Sequence, residues 1–483
     1  MPETMNKKMI VFTLGKLLMV EALFMLMPLL VALLNHEKTG AAYGIVFIGT
    51  FLIGVLMGHK APVDRTIYAK EGFFIVGVSW LLLSFFGALP FVISGEIPSF
   101  VDAFFETVSG FTTTGASILS DVDTMSRASL FWRSFTHWVG GMGVLVFTVA
   151  FIPLASGRTM HILKAEMPGH IVGKLVSKVR VSAQILYVIY AILTVIEILL
   201  LLLGGMPLFD SVLNSFATAG TGGFSMTSAG IGLYNSPYLE GVITVFMILF
   251  GVNFNLIYFF LLGKILPVLK SEELRGYLVI IALATLGVTL NIAPMYHSYM
   301  KAFRYAVFQV ASIITTTGFA TTDYNLWPMF SQTVLLLLMF VGACSGSTGG
   351  GIKVSRILLL FKSALKEVKR LLHSRSVVTV NYEGNAVAPK TMNTIHGFLV
   401  LYSVVFIGGL LIISLENLDF HTTFSAVATC INNVGPGFNL VGPTGNFGFL
   451  SDASKLTLSF IMLVGRLEIF PIFILFSKSF WRG

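Results

Sequence analysis

Four loops in this chain carry residues suited to one piece of chemistry, the replacement of a cation's water shell by backbone carbonyls. They are Phe111-Thr-Thr-Thr-Gly115, Gly220-Thr-Gly-Gly223, Thr315-Thr-Thr-Gly318 and Asn432-Asn-Val-Gly435. Each follows a short apolar segment and precedes a long apolar run. A ring of carbonyls can hold a dehydrated cation without placing fixed charge in its path. Such backbone is non-helical at membrane depth and must line a cavity. Turning its carbonyls one way needs unusual φ/ψ, hence glycine. The helix leading in should aim its negative C-terminal end at the ion. The stretch 112–115, after a helix over 102–110, meets all three conditions, and its threonine hydroxyls can hold the loop from behind. The other loops meet them in part. A single Thr/Gly turn between helices is ordinarily a plain loop. Four at equivalent positions, roughly a hundred residues apart, mark a duplicated unit as large as a membrane module.

A second candidate is Ala343-Cys-Ser-Gly-Ser-Thr-Gly-Gly-Gly351, which interrupts a long apolar run. Each glycine there costs a helix about 1 kcal/mol against alanine, so an unwound, mobile segment is expected. It is not a nucleotide-binding loop, because Lys353 does not follow a glycine at the required spacing and no strand precedes it. Arg466 lies within another apolar run, followed by Glu468. A guanidinium there faces a cavity or a partner. It is either in an ion pair with a carboxylate of another helix or below the four loops, touching 346–351 as a barrier to cations. Glu21 and Glu197 also interrupt apolar runs, as a proton relay or as paired structural carboxylates. Glu106 is expected to stabilise the first short helix, with negative potential at the outer mouth as the alternative. Enzymatic chemistry finds little support. His36-Glu37 lacks the second histidine of a metalloprotease helix, the nine histidines are scattered, and no Ser/His/Asp grouping shares a depth. No catalytic residue is assigned. The two cysteines, Cys344 and Cys430, lie in apolar or glycine-rich stretches and form no disulfide framework.

The elements that must position these residues are membrane helices. Hydrophobic residues make up 55% of the 483 and charged residues only 11%, against about 25% charged in soluble chains. Mean hydropathy is +0.86. The net charge of +8 is therefore a matter of membrane sidedness and does not indicate nucleic acid. Ten runs approach the roughly 20 residues of a spanning helix: 9–34, 41–58, 73–93, 130–153, 183–204, 239–266, 276–293, 330–361, 394–415 and 455–476. The first is too long for a cleaved signal, despite Lys7 and Lys8 before it. Four shorter segments, 100–111, 208–219, 302–314 and 420–431, have re-entrant length. If these do not cross, every lysine and arginine except Lys38, Arg127, Arg133, Lys301, Arg304, Lys455 and Arg466 falls on the side of the N-terminus. That is the cytoplasmic side by the positive-inside rule. Gly141, Gly251, Gly342 and Gly465 recur in the second span of each module, either to pack helices or to leave room beneath the loops. Residues 353–373 continue the eighth run as a basic amphipathic helix, for head-group contact or for docking a cytosolic partner. A hairpin over 377–382 and 386–388 follows, turning at Glu383-Gly-Asn385.

The stretches SGFTTTGAS (109–117), HWVGGMGVLV (137–146), ASIITTTGF (311–319), ACSGSTGGGIKVSR (343–356), NNVGPGF (432–438) and LVGRLEIFP (463–471) resemble the Trk/Ktr/HKT superfamily of potassium transporters, in particular its TrkH-type membrane subunits. The resemblance covers the whole chain. It implies an all-α polytopic membrane protein: two extra N-terminal helices (1–70), then four pseudo-fourfold modules of helix, pore helix and helix around one ion pathway. The modules would be 71–180, 181–272, 273–390 with a gating loop and cytoplasmic helix-hairpin, and 391–483.

Carried over residue by residue, potassium would be coordinated at Thr113, Thr114 and Gly115; Thr221, Gly222 and Gly223; Thr316, Thr317 and Gly318; and Asn433, Val434 and Gly435. Glycine at 115, where sodium-preferring members often carry serine, implies potassium selectivity. The second loop departs most from the threonine pattern, so side-chain support behind it is not expected. The gate would comprise Gly346, Ser347, Thr348, Gly349, Gly350, Gly351, Lys353 and Arg466. The implied function is potassium uptake without chemistry or a cofactor in this chain, with rubidium and weakly sodium as further ions. A symporter coupled to sodium or protons is the alternative, and a membrane-embedded enzyme a remote one. The implied setting is the cytoplasmic membrane of a prokaryote, both termini inside. The implied assembly is a homodimer with a cytosolic nucleotide-binding regulatory subunit.

Overall fold

The computed structural model describes residues 5–64, 67–143, 179–373 and 379–481. The end of the expected fourth span (144–153), the inner-loop residues Arg158, Lys164, Lys174 and Lys178, and the start of the expected hairpin (377–378) lie outside the described residues.

Among the described residues, six helices are long and apolar enough to cross a membrane: Lys7–Leu34, Gly40–Gly58, Lys70–Ser94, Val181–Leu203, Glu272–Tyr296 and Pro389–Glu416. They are the two extra N-terminal spans and the first helix of each module. Their outward faces expose Leu23, Leu30, Leu56, Leu199, Leu283, Leu290 and Leu411. In water such faces would drive association; against lipid tails they are the matched surface. The N-terminal pair packs along its whole length because Gly15 and Gly54 bring the backbones together. A side chain on Gly54 would lie 2.9 Å from the Gly15 carbonyl oxygen.

Each module then turns back through a short helix: Phe100–Phe111, Leu208–Gly220, Tyr299–Ile314 and Phe420–Asn432. Three start on side-chain caps. Ser99 accepts from Asp102 N–H, Ser298 from Lys301 N–H and Asp419 from Thr422 N–H, each meeting a donor the helix cannot satisfy itself. The second starts at Pro207 without such a cap. All four are buried towards their C-terminal ends, so these helices occupy the centre of the molecule and the long helices surround them.

The second helix of each module does not run straight through, contrary to the unbroken runs expected over 239–266 and 455–476. Pro237–Phe250 turns by 101° into Phe254–Leu261, and Asp452–Arg466 by 117° into Phe470–Phe476. In module three, Met329–Val341 gives way to a non-helical stretch before Val354–Leu372, as the glycines there imply. In module one, Arg127–Gly141 ends at the same relative place. The breaks fall at or beside Gly141, Gly251, Gly342 and Gly465. A side chain on Gly141 would lie 2.7 Å from Gly220 Cα, one on Gly251 3.0 Å from Thr315 Cγ2, one on Gly342 2.6 Å from the Gly350 oxygen and one on Gly465 3.0 Å from Asn433 Oδ1. Gly141, Gly342 and Gly465 admit neighbouring backbone and Gly251 the side chains of Thr315 and Tyr277, so close approach is their use here.

The helix Val354–Leu372 has the amphipathic character read from its sequence. The hairpin is short: Asn381–Tyr382 pairs antiparallel with Asn385–Ala386. Glu383 and Gly384 between them have φ of 51° and 77°, as a two-residue type I′ turn demands.

Candidate functional site

The four loops share one backbone conformation. Thr113 and Gly115 have φ of 55° and 79°, Thr221 and Gly223 54° and 68°, Thr316 and Gly318 59° and 85°, and Asn433 and Gly435 54° and 98°. The residue between each pair is not left-handed. Alternating handedness along consecutive residues turns their carbonyls to a common side. Threonine at positive φ is a genuine outlier, because its branched side chain crowds the backbone. Three such threonines at the same position, with asparagine in the fourth loop, mark a conformation imposed by the surroundings. Strain of this kind costs about 1–3 kcal/mol per residue and gathers at functional sites.

The loops close on one another. A side chain on Gly115 would strike the carbonyl oxygen of Gly222, one on Gly223 that of Thr317, and one on Gly318 that of Val434. One on Gly435 would lie 2.7 Å from the Thr114 oxygen. The order is thus one to two, two to three, three to four and four back to one, a complete ring. All twelve residues assigned to coordination from the sequence belong to it.

What holds the ring differs from loop to loop. One bond is common to all: the N–H before each loop glycine donates to a carbonyl five residues back in its short helix. These are Thr114 to Ser109 (2.8 Å), Gly222 to Ala217 (2.9 Å), Thr317 to Ser312 (2.9 Å) and Val434 to Thr429 (2.9 Å). In loops one and three a threonine pair adds to it. The Thr112 and Thr114 hydroxyls are 2.8 Å apart, those of Thr315 and Thr317 2.7 Å, and the first of each pair donates to Val108 or Ala311 at 2.7 Å. In loop four the Asn433 amide donates to Thr114 Oγ1 (2.8 Å) and to the Met462 carbonyl (3.0 Å), tying the last loop to the first. In loop two the Thr221 hydroxyl donates only to the adjacent Gly220 carbonyl.

Behind loops one and two lies a buried ion pair that the sequence reading missed. Arg133 Nε donates to Glu106 Oε1 at 2.8 Å, and both side chains are almost wholly inaccessible. Glu106 also accepts from the Ser117 hydroxyl and the Ile118 N–H, and Arg133 donates to the Ser225 carbonyl in module two. The carboxylate therefore ties the segment leaving loop one to the first short helix, a structural role. The available signal was an arginine at 133 inside an apolar run, the same anomaly that singled out Arg466. Above the ring, residues from all four modules line an open vestibule of about 300 Å³, among them Ala116, Phe224, Phe319 and Pro436.

Beneath the ring, the segment 342–353 joins the broken ends of the second helices. Cys344 N–H donates to the Gly251 carbonyl (3.0 Å), Thr348 N–H to Phe250 (3.3 Å), and Phe254 N–H to Gly346 (3.1 Å). Gly350 N–H donates to the Thr316 hydroxyl (2.6 Å), directly under loop three. The Lys353 ammonium donates to the Gly349 carbonyl. Arg466 reaches across from module four, donating to Thr348 O (2.8 Å), Gly140 O (2.6 Å) and Gly141 O (2.8 Å). Those last two carbonyls lie at a helix C-terminus, where a cation is favourable. Neighbouring Glu468 pairs with Arg356. The gate residues assigned from the sequence are therefore brought together at one level. Glu21 and Glu197 are not part of it. Both are buried, neither forms an ion pair among the described residues, and Glu21 packs behind the first short helix, near Gly87.

Comparisons of sequence and of structure with known proteins converge on one family. The family profile described as TrkH, cation transport protein, matches residues 44–482. The Trk system potassium uptake protein TrkH of Salmonella typhimurium is 37% identical over 467 residues, which cover 95% of this chain and 96% of that protein. The TrkH of Halomonas elongata is 34% identical over 99% of this chain and 100% of its own length. The crystal structure of the potassium transporter TrkH from Vibrio parahaemolyticus superposes with a TM-score of 0.88 at 35% identity, covering 99% of this chain and 100% of that one.

Proposed function

Because the chain belongs to the TrkH family of cation transport proteins, a transport family and not one of enzymes, we propose that it takes up potassium across the cytoplasmic membrane of a prokaryote through the ring of four loops. The observation that carries this reading is the fourfold recurrence of one strained backbone conformation in loops that close into a circle. Successive carbonyls at 113–115, 221–223, 316–318 and 433–435 replace the hydration shell, and potassium is the ion carried. No chemistry is needed, since a membrane potential supplies about 2.3 kcal/mol per charge per 100 mV.

The segment 346–351, with Lys353 and Arg466, is the gate. It fills the space beneath the ring, and its cationic groups oppose a departing cation. Its bonds to the ring and to three second helices give it a defined shut position. Regulation enters from inside. Ser345 N–H donates to Glu273 Oε1 (2.6 Å), and Glu273 N–H to Glu383 Oε1 of the hairpin (3.2 Å), so a cytosolic subunit pressing on the hairpin would reach the gate through two residues. The working assembly is a homodimer with such a nucleotide-binding partner. Both termini lie on the cytoplasmic side.

Symport coupled to sodium or protons is the second reading. Glu21 favours it as a buried carboxylate with no hydrogen-bond partner among the described residues. Flux in proteoliposomes decides between the two. A reversal potential that follows potassium alone supports the uncoupled pathway; a fixed dependence on sodium or pH supports symport. In the same assay Gly115→Ser should lower the preference for potassium over sodium at least tenfold, about 1.4 kcal/mol. An unchanged preference would remove the ring assignment.

A further inference from the structure

We propose that the imidazole of His137 is the side-chain brace of the second loop and thereby a determinant of ion preference, acting from the second helix of module one on the ring segment of module two. The inference rests on the reading of the ring as an ion-coordinating filter and goes beyond it, because His137 contributes no carbonyl to the ring.

Loops one and three brace themselves with threonine pairs at 112 and 114 and at 315 and 317, and loop four is held by Asn433. Loop two has glycine at both positions that correspond to a threonine pair, Gly220 and Gly222. It cannot brace itself. The space is nevertheless filled: a side chain on Gly222 would begin inside the imidazole of His137, and one on Gly220 would strike the His137 carbonyl. The imidazole thus sits in loop two where the Thr114 and Thr317 side chains sit in loops one and three. Gly222 is not left-handed, so the histidine ring and not the backbone keeps a side chain out.

The ring is itself held. It stacks on Phe224, the residue after the loop glycine, with centroids 4.2 Å apart and planes 20° from parallel. The Arg133 guanidinium lies 4.1 Å from the centroid of the same phenyl ring and is fixed by Glu106. His137 is fully buried, and neither ring nitrogen has a hydrogen-bond partner among the described residues. The brace therefore works by shape and stacking, which a phenyl ring can supply equally. Interiors this tightly packed transmit small displacements, so removing the ring lets the Gly222 carbonyl drift from its coordinating position.

The test measures how potassium and sodium each protect the purified full-length protein against thermal unfolding, titrated in a choline buffer. The ratio of half-protecting concentrations reports ion preference without needing conduction or a partner. Wild type should favour potassium at least tenfold. His137→Ala should lose most of that preference while His137→Phe keeps it. Gly222→Thr alone should lose it by collision, and the double variant H137A/G222T should recover preference beyond either single change. A wild-type ratio in His137→Ala, loss in His137→Phe equal to that in His137→Ala, or a double variant no better than the singles would overturn the brace. A wild type with no potassium preference would overturn the filter reading itself, and this inference with it.

Discussion

Single hydroxyls at equivalent ring positions have different partners, and that difference is measurable. Thr113 and Thr316 occupy the same left-handed position in loops one and three. Thr316 Oγ1 accepts the Gly350 N–H of the proposed gate at 2.6 Å, whereas Thr113 Oγ1 has no partner among the described residues. Thr316→Ala should loosen the gate and raise flux several-fold, since one buried hydrogen bond contributes about 1 kcal/mol. Thr113→Ala should leave gating unchanged. Equal effects of the two substitutions in a liposome flux assay would mean that the Thr316 contact does not hold the gate. The sequence made the ring residues legible because glycine and threonine are an odd pairing at membrane depth. It concealed what braces each loop. Asn433, a departure from the threonine pattern, proves to be the tie between loops four and one, and Gly222 is complemented by a histidine 85 positions earlier. Such complementation across modules leaves no local signature.

At the scale of elements, the second helices make room for the proposed gate by stopping. The hydropathy of 239–266 and 455–476 reads as unbroken spans, yet both bend by more than 100°. Periodicity cannot register a break whose cause is tertiary. The carbonyls of Phe250 and Gly251 at the break accept from Thr348 and Cys344 of the glycine-rich segment, and those of Gly140 and Gly141 from Arg466. Only in module three, where glycines crowd together, did the sequence announce the interruption. Arg466 therefore joins the ends of two helices to Thr348. Arg466→Ala removes three charge-assisted bonds, each worth about 1.5–3 kcal/mol, along with the positive charge beneath the ring. Flux should rise about tenfold or more, with some loss of thermal stability. Lower stability with unchanged flux would identify Arg466 as a structural tie only.

In the whole molecule two N-terminal helices stand beside four unequal modules whose loops make one ring. Sidedness, re-entrant segment lengths and the recurrence of the loops made the architecture legible, because those features follow from bilayer thickness and the placement of charge. The closure of the ring was not legible, since no local pattern states which loop neighbours which. In the structure that order is read from four glycines, each facing the carbonyl of the next loop or of the first. Under the proposed function these loops jointly strip and hold a potassium-like ion. Crystals of the protein grown in rubidium, with diffraction recorded at the rubidium absorption edge, put this to the test. An anomalous peak is expected on the axis of the ring within coordination distance of carbonyls from all four loops, Thr114, Gly222, Thr317 and Val434 among them. A ring without a peak, or a peak held by one or two loops while the others stand away, would contradict it.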